Sequence, residues 1–202
     1  MTITTRTGEP MPLPASNADA DVIAAVAAAE SLLSTLGLES DTEHTLRTAE
    51  RMVASYRDLL TPKPFEATTF PNNEQHRDLV ISRSVPFTSL CAHHVLPFIG
   101  TATVGYRPGA RLLGLSKLAR VVEMFACRLQ VQEDMTQQIA GWLDTKLPDH
   151  GGAGVVITAE HLCMTVRGAE ARGASTVTTA WRGELARDAA LRAEFLTLAT
   201  GR

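Results

Sequence analysis

Half of the six histidines and two of the three cysteines of this 202-residue chain stand in seven positions, Cys91-Ala92-His93-His94 and His161-Leu162-Cys163. Thiolate and imidazole together are the donors Zn²⁺ prefers, and a catalytic zinc keeps three protein ligands with a fourth position open to water. Cys91, His94 and Cys163 can make such a Cys₂His set, leaving His93 and His161 to point elsewhere. The bland alternative is buried cysteine acting as a small hydrophobe beside an accidental histidine pair. Cys-x-x-His with a distant His-x-Cys is a weaker signature than a doubled Cys-x-x-Cys. A zinc deaminase is excluded, because His-x-Glu and Pro-Cys-x-x-Cys are both missing. A structural zinc wants four side-chain ligands, and Cys127 reads as the core residue of an amphipathic helix.

Two further clusters carry charge. In Gly114-Leu115-Ser116-Lys117-Leu118-Ala119-Arg120, Ser116 reads as a helix N-cap, with Lys117 and Arg120 near one another on the first turn. Free N–H groups and the positive dipole end of a helix start favour an anion, against the alternative of ordinary solvated charge. Arg167-Gly168 adds a guanidinium just past Cys163. Gln132-Glu133, between two helical stretches, offers an amide and a carboxylate to a polar heterocycle.

The elements that must position these groups follow from periodicity. Asp19 to Leu36 is helical with Gly37 as its stop, and Ser40-Asp41-Thr42-Glu43 has the capping-box pattern ahead of a second helix to about Leu60. Residues 61–76 hold three prolines and two adjacent asparagines and read as a connecting loop. Leu79–Phe87 and Phe98–Arg107 then read as strands, Ser116–Leu129 and Glu133–Leu147 as helices, Val155–Ala159 and Thr176–Trp181 as strands, and Glu184–Leu198 as a final helix. Short connections between consecutive strands predict antiparallel pairing in an α+β domain. The expected organisation is a loose arm at 1–16, a helical extension with its loop at 17–76, and the α+β domain at 77–202.

Composition bounds the class. Hydrophobic residues at 45% and charged residues at 20% suit a globular chain. No apolar run approaches the ~18–20 residues of a membrane span, and Met1 to Ser16 has no apolar block for secretion. Three cysteines cannot all pair, which suits the reducing cytoplasm. A net charge of −3 gives no basic field for nucleic acid, so any anionic ligand needs a local cluster.

Together, Val85-Pro86-Phe87, Cys91-Ala92-His93-His94-Val95-Leu96-Pro97-Phe98, Gly114-Leu115-Ser116-Lys117, Gln130-Val131-Gln132-Glu133, His161-Leu162-Cys163-Met164 and Arg167-Gly168 resemble GTP cyclohydrolase I. The tail Glu194-Phe195-Leu196 is similar as well, and the resemblance spans about residues 20–198 in order. It implies a T-fold with an N-terminal helical extension, strand-strand-helix-helix-strand-strand, assembled as a homodecamer with active sites between subunits. The implied reaction hydrolyses the imidazole ring of GTP, releases formate and yields 7,8-dihydroneopterin triphosphate for tetrahydrofolate or pterin synthesis. By motif position the resemblance implies zinc on Cys91, His94 and Cys163, and proton transfer by His93 and His161. Gln132 and Glu133 would hold the guanine, and Ser116, Lys117, Arg120 and Arg167 the triphosphate. The family usually carries glutamate where this chain has Ala92, and Thr-Pro-x-Arg where it has Thr48-Ala49-Glu50-Arg51. Ala92 keeps open an alternative, a paralogue acting on GTP or a related purine nucleotide in a specialised route such as deazapurine synthesis and stopping at a ring-opened intermediate. Retention of His93 and His161 argues against a non-catalytic zinc subunit.

Overall fold

A computed structural model of the chain describes residues 18–38 and 41–200. The expected arm at 1–16 and Ser40 of the capping-box pattern lie outside them. The chain divides into two units that meet between Thr61 and Pro62.

In the first unit, helix α1 (Ala18–Thr35) stops where the sequence places its stop. Gly37 takes φ +73°, Leu38 N–H donates to Leu33 O at 2.9 Å and Gly37 N–H to Ser34 O at 2.9 Å, the paired bonds of a Schellman C-cap. Helix α2 (Thr48–Leu60) begins later than the capping-box pattern predicts. Thr42 N–H donates to Thr45 Oγ1 at 3.0 Å, and the two threonine hydroxyls bond at 2.8 Å. These local side-chain bonds hold the segment in turns in competition with helix. Thr61, before Pro62, is extended and ends α2.

The second unit is built on a five-stranded sheet. Strand β1 (Thr69–Pro71) stands apart from it. The sheet's first strands are β2 (Val80–Cys91) and β3 (Pro97–Arg107), followed by β4 (Arg111–Leu113), which pairs antiparallel with β1. Next come helix α3 (Leu115–Ala126), β5 (Leu129–Gln130), α4 (Gln132–Lys146), β6 (Gly152–His161), the single turn α5 (Leu162–Thr165) and β7 (Thr176–Gly183), ending with α6 (Glu184–Arg187) and α7 (Ala189–Thr200). The sheet order is β5-β2-β3-β6-β7; β2, β3, β6 and β7 are antiparallel neighbours, while β5 joins the end of β2 in parallel.

Alternation along β3 explains the core. Phe98, Ala102, Val104 and Tyr106 are buried on one face, with Leu118, Val121, Val122 and Phe125 of α3 and Met135, Ile139 and Leu143 of α4. Each large side chain so buried contributes roughly 1.5–3 kcal/mol. On the other face Phe195 of α7 is buried and meets Trp181 edge-on at 5.3 Å. A Cβ on Gly154 would stand 2.9 Å from the Phe195 ring and 2.7 Å from Trp181, so glycine is what lets the aromatic pair approach.

Four differences from the sequence reading have local causes. The 61–76 stretch contributes β1 rather than loop alone. Helix α3 ends at Ala126 because Leu129 and Gln130 are drawn into the ladder beside Leu90 and Cys91. Cys127 therefore caps α3 half-buried instead of sitting inside a helical core. The final helix is two, because Asp188 interrupts it and its Oδ1 accepts from Ala190 N–H at 2.8 Å and Leu191 N–H at 3.1 Å, an N-cap for α7.

Candidate metal centre and proton-transfer site

The loop between β2 and β3 is held by its own backbone. Cys91 N–H donates to Leu96 O at 2.9 Å, and Cys91 O accepts from Val95 N–H at 2.9 Å and His94 N–H at 3.3 Å. Ala92 N–H donates to Gln130 O at 2.9 Å, tying the loop to β5. Val95 is held at φ +55°, a conformation costly for a β-branched residue and kept only where its surroundings over-determine it. His93 and His94 ride on this rigid turn, exposed, while Cys91 is buried.

Register brings the second half of the cluster alongside. Phe98 of β3 pairs with His161 at the end of β6, and α5 turns Cys163 back toward Cys91. Cys163 Sγ lies 3.9 Å from Cys91 Sγ, and Cys91 Sγ lies 3.8 Å from His94 Nδ1. Tetrahedral zinc, with Zn–S about 2.3 Å and Zn–N about 2.0–2.1 Å, requires separations of about 3.8 Å and 3.6 Å between such donors. The cluster is therefore already of zinc size. His93 Nδ1 also approaches Cys91 Sγ at 3.8 Å; among the described residues, the set whose ligand atoms all lie within 4.8 Å of one another is Cys91, His94 and Cys163. Burial and the neighbouring Cys91 push the Cys163 thiol up, with Arg167 pulling it down. Two adjacent thiolates are unfavourable without a cation, and a metal supplies one.

His161 lies flat on Phe98, with centroids 4.6 Å apart and planes 2° from parallel. Burial holds its pKa below the usual histidine value, and Glu133, at the start of α4, acts in the opposite sense. Its Nε2 is 2.7 Å from Oε1 of Gln132. Gln132 is 1% exposed, and its amide nitrogen donates toward Thr176 O (3.0 Å), Thr178 Oγ1 (3.1 Å) and Ile157 O (3.3 Å).

The sequence profile of GTP cyclohydrolase I matches residues 25–200. GTP cyclohydrolase 1 of Mycolicibacterium gilvum is 48% identical over 185 residues, 89% of this chain and 91% of that protein. The chain belongs to the GTP cyclohydrolase I family. GTP cyclohydrolase 1 of Mycobacteroides abscessus is 45% identical over 88% of this chain and 89% of that protein, and that of Halalkalibacterium halodurans 44% over 84% and 92%. Among solved structures, the archaeosine synthase QueF-Like in the apo form is similar at a TM-score of 0.41 and 13% identity, over 54% of this chain and 94% of that one. The order β2-β3-α3-α4-β6-β7 is the T-fold order expected from the resemblance.

Against the family's site pattern, Cys91, His93, His94, Gln132, Glu133, His161 and Cys163 converge at one end of the sheet, and Arg167 follows α5 there, exposed. Ser116, Lys117 and Arg120 do not join them. Their helix starts beside Val80 and Tyr106, which share a hollow with Gly114 and Leu115, whereas Cys91 ends the twelve-residue β2 that Val80 begins. At ~3.3 Å per residue the two sites are on the order of 30 Å apart. Ser116 is also not the N-cap: Gly114 holds that position without a side-chain cap, and the helix begins at Leu115. Sequence reading missed Phe98 as the platform under His161, although it adjoins the Cys91–His94 motif. It also missed Thr178, which nothing in its strand marks as a site residue.

Proposed function

We propose that the chain hydrolyses the guanine imidazole ring of GTP, releases formate and forms 7,8-dihydroneopterin triphosphate, a precursor for tetrahydrofolate and other pterins, with zinc held by Cys91, His94 and Cys163. The observation that carries the reading is the zinc-sized Cys₂His cluster in a chain 48% identical to a GTP cyclohydrolase 1. Zinc bound there would lower the pKa of a bound water from about 15.7 toward 7.

The chain's own residues do the rest. His161, whose pKa burial holds below the usual histidine value, accepts a proton, and exposed His93, whose Nδ1 approaches Cys91 Sγ at 3.8 Å, exchanges one with solvent. Glu133, exposed at the α4 start, accepts from guanine N–H groups, and Arg167 takes phosphate oxygens. Ser116, Lys117 and Arg120 reach the nucleotide from a second copy, a reading supported by their distance from the metal centre within one chain. A homodecamer accounts for this, and among the described residues no strand covers the outer edge of β7. No helix of the described residues is long and apolar enough to cross a membrane; three free cysteines favour the cytoplasm, and no nucleic-acid partner is proposed.

Incubation with GTP, following pterin fluorescence and formate together, tests the proposal. Both products are expected. Formate without pterin would move the assignment to the ring-opening paralogue that Ala92 suggests, and neither product from zinc-loaded protein would overturn it.

A further inference from the structure

The neighbours of Gln132 give it a different task from holding guanine. Its side chain is sealed from solvent, and the atoms around it leave one orientation of the amide. Thr176 O and Ile157 O are carbonyl oxygens that accept and never donate. The nitrogen must therefore face them, and Oε1 must face His161. A flipped amide would set oxygen against two carbonyls in a buried site and leave donors unmatched, at roughly 1–3 kcal/mol for each unsatisfied group. Hydroxyls close the arrangement: Gln132 Nε2 donates to Thr178 Oγ1, which is 2.6 Å from Thr136 Oγ1, and Thr136 Oγ1 donates to Gln132 O at 2.7 Å.

Since Oε1 can only accept, the 2.7 Å contact assigns the proton to His161 Nε2. In the neutral ring the free lone pair then lies on Nδ1, and the Phe98 stack fixes the plane in which it points. Both amide hydrogens of Gln132 are consumed inside the protein, so it has no donor left for a heterocycle.

We propose that Gln132, locked by Thr178, Thr136 and the carbonyls of Thr176 and Ile157, is a positioning residue that acts through His161, holding it as the Nε2–H tautomer with Nδ1 presented for proton transfer, and that it does not bind the guanine. The inference rests on the proton-transfer role proposed above for His161. It transfers recognition of the base to Glu133, the exposed neighbour.

Two readouts test it. Solid-state NMR of the full-length protein labelled with ¹⁵N-histidine, with a His161→Asn variant to identify the resonances, should show a protonated Nε2 and an unprotonated Nδ1 at His161. The reverse pattern overturns the proposal without any kinetic measurement. Steady-state kinetics supply the second readout. Gln132→Met should lower kcat by about tenfold or more, the low end of a general acid–base contribution being larger still, while the KM for GTP changes less than about threefold. Gln132→Glu, which keeps an oxygen acceptor opposite Nε2, should recover part of that loss. A raised KM with intact kcat in both variants would return Gln132 to substrate binding and overturn the proposal. Undiminished kcat in His161→Asn would remove the proton-transfer reading itself, and the nitrogen shifts would still decide for or against the Gln132 contact.

Discussion

If the metal cluster and the α3 cluster belong to different copies in each working site, defects in the two can be placed on different chains and cancelled by mixing. Arg120→Ala removes a guanidinium from the α3 cluster. A charge-assisted contact is worth about 1.5–3 kcal/mol, so KM for GTP should rise by about 10- to 150-fold, with guanosine binding untouched. Cys163→Ala removes a metal ligand and should abolish turnover. The start of α3 lies on the order of 30 Å from Cys91 along β2, and Arg120 lies further along the same helix, at most about 7.5 Å nearer. One nucleotide cannot touch both clusters of a single chain across that gap. Co-expressing the two variants in equal amounts and assembling them at random leaves about a quarter of the sites with two intact halves, by the arithmetic of a head-to-tail contact. The assay is GTP turnover at a concentration below the raised KM, on protein carrying two different affinity tags and purified through both. Recovery of about a quarter of native activity per chain is expected. Activity no greater than the sum of the two parents would show that both halves of the site come from one chain.

The remaining expectations concern single positions. Cys163→Ala should reduce zinc from about one per chain to near zero by elemental analysis, and equal zinc in both proteins would sink the ligand set. Tyr106→Phe deletes the buried hydroxyl that accepts from Leu113 N–H at 2.7 Å and should lower stability by about 1–3 kcal/mol, read as a lower urea midpoint with an unchanged slope. Burial pushes the Tyr106 phenol above its ordinary pKa of 10.0. Its contribution is therefore present below pH 10 and lost as pH rises beyond it, when the unfolded chain ionises first, and the phenylalanine variant should lack that alkaline loss. Ala92 is exposed with its N–H tied to Gln130, so Ala92→Glu should fold normally. It should shift quenched time courses from ring-opened intermediates toward pterin, and identical time courses would make the position neutral.

Much of this was legible in the sequence, for identifiable reasons. Long periodic segments such as β3 and α3 declare themselves, because burying one face demands alternation or a helical stripe. The metal cluster was legible because thiolate and imidazole are rare enough to stand out. The short elements were not: β1 contains Pro71, and β5 has two residues whose pairing depends on where Leu90 and Cys91 already lie. The start of α2 was misplaced because threonine side chains at 42 and 45 bond locally. Spacing cannot reveal that Lys117 and Cys91 stand at opposite ends of a sheet, nor that Gln132 is spent on His161, because both facts arise from register.

Register is what makes the site. Cys91 closes β2, and its place against β3 is set by Leu90 opposite Pro97. Cys163 follows β6, whose place against the same strand is set by Phe98 opposite His161. The candidate metal ligands thus depend on two strands, β2 and β6, that do not pair with each other and are aligned only through β3. A one-residue slip of β6 on β3 would carry Cys163 about 3.3 Å along the sheet and turn His161 to the opposite face. That single error would spread the Cys91, His94 and Cys163 donor atoms beyond the reach of one metal ion, remove the ring from Phe98 and strip Oε1 of Gln132 of its donor. The buried contacts of Gln132 with Ile157 on β6 and with Thr176 and Thr178 on β7 oppose such a slip in both strands at once. The same amide therefore aligns the sheet and orients the histidine, which ties the geometry of the chemistry to the stability of the fold.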